Sequence, residues 1–147
     1  EPGGLGLLPF QQENDDPHGL WPNRQLALGP YAEVNTSHLK IRDQGIFVEA
    51  NMTAGAMKVG APNPRGWIAY SNNYDLFVKR AAYHKGAEYL DRGASSQIYC
   101  NPDLIELETL GPVVDLAPGE RVSHQEIWEI YPDGSWPEEI KDIYESN

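Results

Sequence analysis

Glu106 and Glu108 stand two residues apart in the run Asn101–Tyr131, NPDLIELETLGPVVDLAPGERVSHQEIWEIY. Strand alternation sends both to one face with Leu104 and Leu110, about 6.5–7 Å apart, and sends Ile105, Leu107 and Thr109 to the other. A carboxylate on a concave, solvent-open face is a candidate general base toward a sugar hydroxyl. Partial burial beside its neighbour would raise its pKa toward a useful value. The bland alternative is a polar outer face, charged for solubility.

The same run continues through a Pro/Gly-rich connection into a second strand, with Val122, His124, Glu126, Trp128 and Ile130 on one face. A Trp platform beside hydrogen-bonding groups suits sugar recognition. Core packing is the competing reading of Trp128, and an ordinary surface position that of His124. His124 and Glu126, with His38 or His84, also outline a partial metal set. Nothing in the spacing fixes a third ligand, so no metal is expected.

Lys79 and Arg80 are the next candidates. Neighbours on a strand face opposite ways, Arg80 with Leu76 and Val78, Lys79 with Phe77. Either can hold a substrate carboxylate or phosphate, or pair with an acidic side chain of the protein. Lys58 and the loop Asn63-Pro64-Arg65-Gly66-Trp67 can edge a pocket, with Arg65 and Trp67 turned to a ligand, or can be a plain connection. Asp91-Arg92-Gly93 carries the same ambiguity.

The elements that must position these groups are strands. Short candidates fall at Gln25–Leu28, His38–Arg42, Gly45–Asn51, Ala56–Val59, Trp67–Ser71, Asp75–Ala82 and Gln97–Asn101. Turn residues separate them, and Asn72-Asn73-Tyr74 reads as a hairpin connection. Strands at this spacing predict an all-β, antiparallel β-sandwich over residues 24–132. Residues 1–23 read as an extended N-terminal arm with an apolar patch, Leu5, Leu7, Leu8, Pro9 and Phe10. Its Glu13-Asn14-Asp15-Asp16 run lacks the spacing of a calcium loop. Residues 133–147 predict a C-terminal helix with a capping box over Ser135-Trp136-Pro137-Glu138. Trp136, Ile140, Ile143 and Tyr144 form its apolar side, expected to cover a sheet edge or one end of the sandwich.

Composition narrows the partners. The chain has 147 residues, 40% of them hydrophobic, and a formal charge of −11, which argues for a folded domain that repels phosphate backbones and anionic membranes. No nucleic acid or membrane partner is expected. Cys100 is the only cysteine, which rules out an intrachain disulfide and points to a buried thiol. No apolar run approaches the roughly 20 residues of a membrane span, and no basic region precedes an apolar run at the start. Asn35-Thr36-Ser37 and Asn51-Met52-Thr53 match the glycosylation tripeptide, which is short. The compartment stays open.

Three segments, GWIAYSNNYDLFVKR, LIELETLGP and LAPGERVSHQEIWEI, together resemble the C-terminal part of galactose-mutarotase-like proteins, an uncharacterised bacterial branch of that superfamily most closely. The likeness runs from Pro22 to Tyr131 and is most specific from Ile105 to Trp128. It implies a supersandwich with a sugar site on its concave face. Leu107-Glu108-Thr109 looks like the L-E-T-type motif that carries the general base of aldose 1-epimerases, which makes Glu108 the implied catalytic residue. Glu106, His124, Glu126, Trp128, Lys79, Arg80 and Trp67 are the candidate substrate-binding residues around it. The histidines that serve those enzymes as acid have no match here, and no cofactor is implied. The expectation is a carbohydrate-binding β-sandwich acting as an aldose 1-epimerase-like isomerase. The alternative is a non-catalytic sugar-binding or assembly domain. Full mutarotase-like sandwiches take roughly twice this length, so the resemblance implies a half or pared-down sandwich or a protomer completed by another chain, and self-association or pairing with another chain is expected.

Overall fold

A computed structural model describes residues 3–14 and 16–145. It is mostly β: ten strands in two antiparallel sheets, and one helix near the C-terminus. The strands are β1 (Leu5–Pro9), β2 (Ala27–Leu28), β3 (Leu39–Arg42), β4 (Gly45–Glu49), β5 (Met57–Ala61), β6 (Trp67–Asn72), β7 (Asp75–Ala81), β8 (Ser96–Cys100), β9 (Ile105–Thr109) and β10 (Glu126–Tyr131). The six-stranded sheet has the order β10-β7-β6-β1-β4-β3, and the four-stranded sheet β2-β5-β8-β9. This is the expected sandwich.

Alternation explains the two cores. Leu8, Ile46, Val48 and Ile68 of the larger sheet meet Met57, Val59, Ile98 and Cys100 of the smaller one. Their neighbours in sequence, Leu7, Phe47, Trp67 and Ala69, fill the opposite face of the larger sheet together with Leu76 and Val78. The helix Glu138–Glu145 covers that face with Ile140 and Ile143. Each of those two isoleucines contributes roughly 1.5–3 kcal/mol by burial. Tyr144 Oη donates to the Leu5 carbonyl at 2.8 Å and Trp136 Nε1 to the Tyr74 carbonyl at 2.8 Å, fixing both ends of the segment. The helix therefore covers a sheet face, not an edge or an end. The capping box does not form: Ser135 Oγ donates to the Pro132 carbonyl at 2.7 Å, and the first helical bonds return to Pro137.

The N-terminal segment is the main departure. Instead of a docking arm, Leu5–Pro9 is a central strand paired with both β4 and β6. Both of its faces are covered, so it shows a continuous apolar run where a half-exposed strand would alternate. Gly6 lies under the smaller sheet, where a Cβ would stand 2.9 Å from Ile105 Cδ1. A side chain there would force the sheets apart. The hairpin at Asn73 and Tyr74 is as expected, with both residues at positive φ (50° and 71°). Tyrosine is unusual there. Its carbonyl accepts from both Gly134 N and Trp136 Nε1, which holds the turn.

Candidate functional site

β9 divides the candidate residues between two places. Glu106 and Glu108 project to the outer face of the four-stranded sheet, because Leu107 and Ile105 pack inward against the core. Glu108 lies opposite Gln97 on β8, and Lys58 on β5 lies opposite Tyr99 on the other side of that strand. The lysine reaches across β8 and donates from Nζ to Glu108 Oε2 at 2.9 Å. Both side chains are about 70% covered, with 29% and 28% exposed. Burial pushes the Lys58 ammonium down, but the hydrogen bond and charge of Glu108 and the charge of Asp91 outweigh it. Its pKa ends above the ordinary lysine value.

Beside this pair lies a cleft of about 290 Å³ lined by Lys58, Asp91, Arg92, Gln97 and the segment from Ala27 to Pro30. Gln97 is 3% exposed and donates to Asp91 Oδ2 at 2.6 Å. Its aliphatic part lies over Gly60, where a Cβ would come within 2.9 Å of Gln97 Cγ and 3.0 Å of Ala94 Cβ. The cleft wall is a single turn, Leu90–Gly93, in which Asp91 and Arg92 adopt left-handed φ of 53° and 61°. Such residues cost on the order of 1–2 kcal/mol each and cluster where a side chain must be aimed. The turn is held from outside by Gln25 Nε2, which donates to the Arg92 carbonyl. Gln97 carries no signal by residue type; its parity on β8, opposite Glu108, is what marks it.

The odd-numbered residues of β9 point the other way. Thr109 Oγ1 donates to Glu126 and is 2.8 Å from His124 Nε2. Trp128 Nε1 donates to Glu126 Oε2 at 2.9 Å. Lys79 Nζ is 3.4 Å from Glu126 Oε1, donates to the Leu107 carbonyl at 2.7 Å, and lies 5.3 Å from the Trp128 ring centroid. Phe77 meets the same ring edge-on at 5.6 Å. Burial pushes the Glu126 carboxyl up, but the bonds from Thr109 and Trp128 and the charge of Lys79 outweigh it. The carboxyl titrates below its ordinary value. Lys79, His124, Glu126 and Trp128 are thus brought together, but they bind one another and join the edge strands of the two sheets.

Two expected ligand residues belong elsewhere. Trp67 is 1% exposed beneath the helix, so it is not turned to a ligand; Arg65, whose guanidinium is 5.3 Å from the Trp67 ring centroid, does edge a cleft, with Pro64, Tyr83 and Lys85. Arg80 is on that same face and pairs with Glu129 at 2.7 Å and Glu139 at 3.4 Å. Lys79 and Arg80 do face opposite ways, and it is Lys79 that shares a cluster with other candidates. The second strand begins at Glu126, where Ala81 is its last partner on β7, so Val122 and His124 lie in the irregular crossover.

The partner of Glu108 is a lysine. His124 is across β9, and His38 Nδ1 is 2.7 Å from Asn51 Oδ1. Asp16 of the acidic run accepts from the backbone N–H groups of His18, Leu20 and Trp21, and Asp15 lies outside the described residues. Among the described residues no three His, Cys, Asp or Glu side chains are grouped to hold a metal ion, and no helix is long and apolar enough to cross a membrane. Cys100 is buried and free, and burial pushes its thiol up. Comparison with family models, with curated proteins and with solved structures yields no match.

Proposed function

We propose that the outer face of the four-stranded sheet binds a sugar, with Glu108 as the group that meets the anomeric hydroxyl. The observation that carries this reading is the Lys58–Glu108 pair, 2.9 Å apart on an open sheet face beside a polar cleft. A pyranose presents hydroxyls on every side. A carboxylate, an ammonium, the Asp91 carboxylate and the Gln97 amide supply fixed donors and acceptors for them. The likeness of Leu107-Glu108-Thr109 to the aldose 1-epimerase motif points to the same carboxylate.

In the catalytic form of this reading the pair divides the proton transfers. Mutarotation removes a proton from O1 and delivers one to the ring oxygen as the bond from C1 to that oxygen breaks. The open aldehyde turns, the ring closes on the other carbonyl face, and both protons return. O1 and the ring oxygen share one carbon, so neighbouring acid and base groups reach both. Glu108 takes the hydroxyl proton, and the Lys58 ammonium, held protonated by its acidic neighbours, supplies the other. The reaction consumes no cofactor.

Polarimetry on freshly dissolved galactose and glucose tests this. Added protein is expected to speed the approach to equilibrium rotation, and Glu108→Gln to slow it by roughly 10²–10⁴-fold. An unchanged rate across several aldoses rejects the activity. A second reading, sugar binding without turnover, is favoured by the identity of the partner: Glu108 pairs with a lysine, whereas the aldose 1-epimerases that its motif resembles use a histidine as acid. Saturable binding in a calorimetric titration without any change in the polarimetric rate would select it.

A further inference from the structure

The loop before β2 carries an exposed tryptophan on a turn built to hold it. Trp21 is 70% exposed, yet its backbone N–H donates to Asp16 Oδ2 at 3.0 Å. The same carboxylate accepts from Leu20 N at 2.6 Å and His18 N at 3.1 Å, and is itself only 6% exposed. Asn14 Oδ1 accepts from Asp16 N at 3.0 Å, and Asn23 Nδ2 donates to the Glu13 carbonyl at 3.2 Å. A buried carboxylate that organises three backbone donors fixes the turn while leaving its largest apolar side chain in water. With the backbone fixed before binding, only the side-chain torsions of Trp21 are left to be ordered when a ligand stacks on it.

Trp21 lines a cleft of about 550 Å³ together with Phe10, Asn14, Asn23, Arg24 and Gln25. An apolar plane ringed by amides and a guanidinium matches a saccharide, which has an apolar ring face and a hydroxyl rim. The side chain of Gln25 lies between this cleft and the one lined by Lys58. Gln25 lines the first, and its amide donates to the Arg92 carbonyl in the wall of the second. Pro62 lines the first and Lys58 the second, four positions along β5 and its exit, or roughly 13 Å at strand rise.

We infer that the two clefts form one continuous path for an oligosaccharide, with the reducing-end sugar at Lys58 and Glu108 and a distal unit stacked on Trp21. The inference rests on the sugar-binding reading of Glu108. It adds that the preferred ligand is a chain, not a free monosaccharide.

The test is calorimetric titration of the full chain with galactose, glucose, lactose, cellobiose and maltotetraose. Trp21→Ala, Trp21→Phe and Glu108→Gln are titrated in parallel. At least one of the oligosaccharides is expected to bind about tenfold more tightly than its monosaccharide. Trp21→Ala should remove that margin and leave monosaccharide affinity unchanged, while Trp21→Phe keeps most of it. Equal affinity for monomer and chain, or equal losses on both in Trp21→Ala, overturns the extended path while leaving the Glu108 site standing. Chain binding that needs Trp21 but not Glu108 rejects the continuous path. If no saccharide binds at any length, both readings fall. Because Trp21 is exposed, thermal unfolding of Trp21→Ala should match the parent and exclude misfolding as the cause.

Discussion

Glu108 and Glu126 are both paired with a lysine, and they sit on opposite sides of β9. Glu126 is held from several directions, by Thr109, Trp128 and Lys79, and links β7, β9 and β10. Among the described residues Glu108 is bound by Lys58 alone, on the open outer face of its sheet, and that lysine lines a cleft. A carboxylate whose lone pairs are filled by the protein stabilises the fold; one with lone pairs left over can accept from a ligand. The same residue type thus does structural work on one side of a strand and is available for chemistry on the other.

The comparison is sharpest where stability and binding separate. Glu126→Ala takes from Lys79 its ion pair and from Thr109 and Trp128 their shared acceptor in a partly covered site, and should cost about 1–3 kcal/mol in urea unfolding, with sugar affinity unchanged. Equal losses of stability and affinity would mean the two sites are one. Gly60→Ala should do the reverse. Its Cβ meets Gln97, a flexible side chain, and Ala94 and the Ser96 carbonyl, which are not. We expect about 1 kcal/mol of destabilisation and a larger loss of sugar affinity as Gln97 is displaced, read by calorimetry.

Acid should loosen the Glu126 side. Its carboxyl titrates lower in the folded chain than its ordinary 4.5. Its contribution is therefore complete above that value and fades as the pH falls through the lowered one. Between about pH 5 and about pH 3 the urea midpoint of the parent should fall more steeply than that of Glu126→Gln; parallel slopes would refute the assignment. The smallest effect is expected from Lys58→Met. A pair this accessible to water contributes at most about 1 kcal/mol, so stability should barely move while sugar binding weakens.

Most strands were legible, because alternation and turn residues act locally. The face of each residue along β9 was also legible: Glu106 and Glu108 on one side, Leu107 and Thr109 on the other. What local pattern cannot tell is which sheet a strand joins. β9 and β10 follow one another in sequence but enter different sheets, so Glu108 and His124, which looked like members of one site, are separated by a strand. β1 was missed for a related reason. A strand buried on both faces has no alternation, and Gly6 and Pro9 gave it the composition of a loop. Trp67 was ambiguous by type, since only the helix arriving from residue 138 onward decides that its face is covered. The wall of the cleft, Leu90–Gly93, depends on two left-handed non-glycine residues that no propensity would suggest.

The placement of β1 also has a consequence in time. Its partners are β4 and β6, so Leu5 pairs with Glu49 and Ser71, and its carbonyl receives a bond from Tyr144. The strand at the centre of the larger sheet cannot be stabilised until chain far downstream has arrived. Contacts of such separation put the protein among slow folders, in the millisecond-to-second range, with the apolar Leu7 and Leu8 exposed until the register closes.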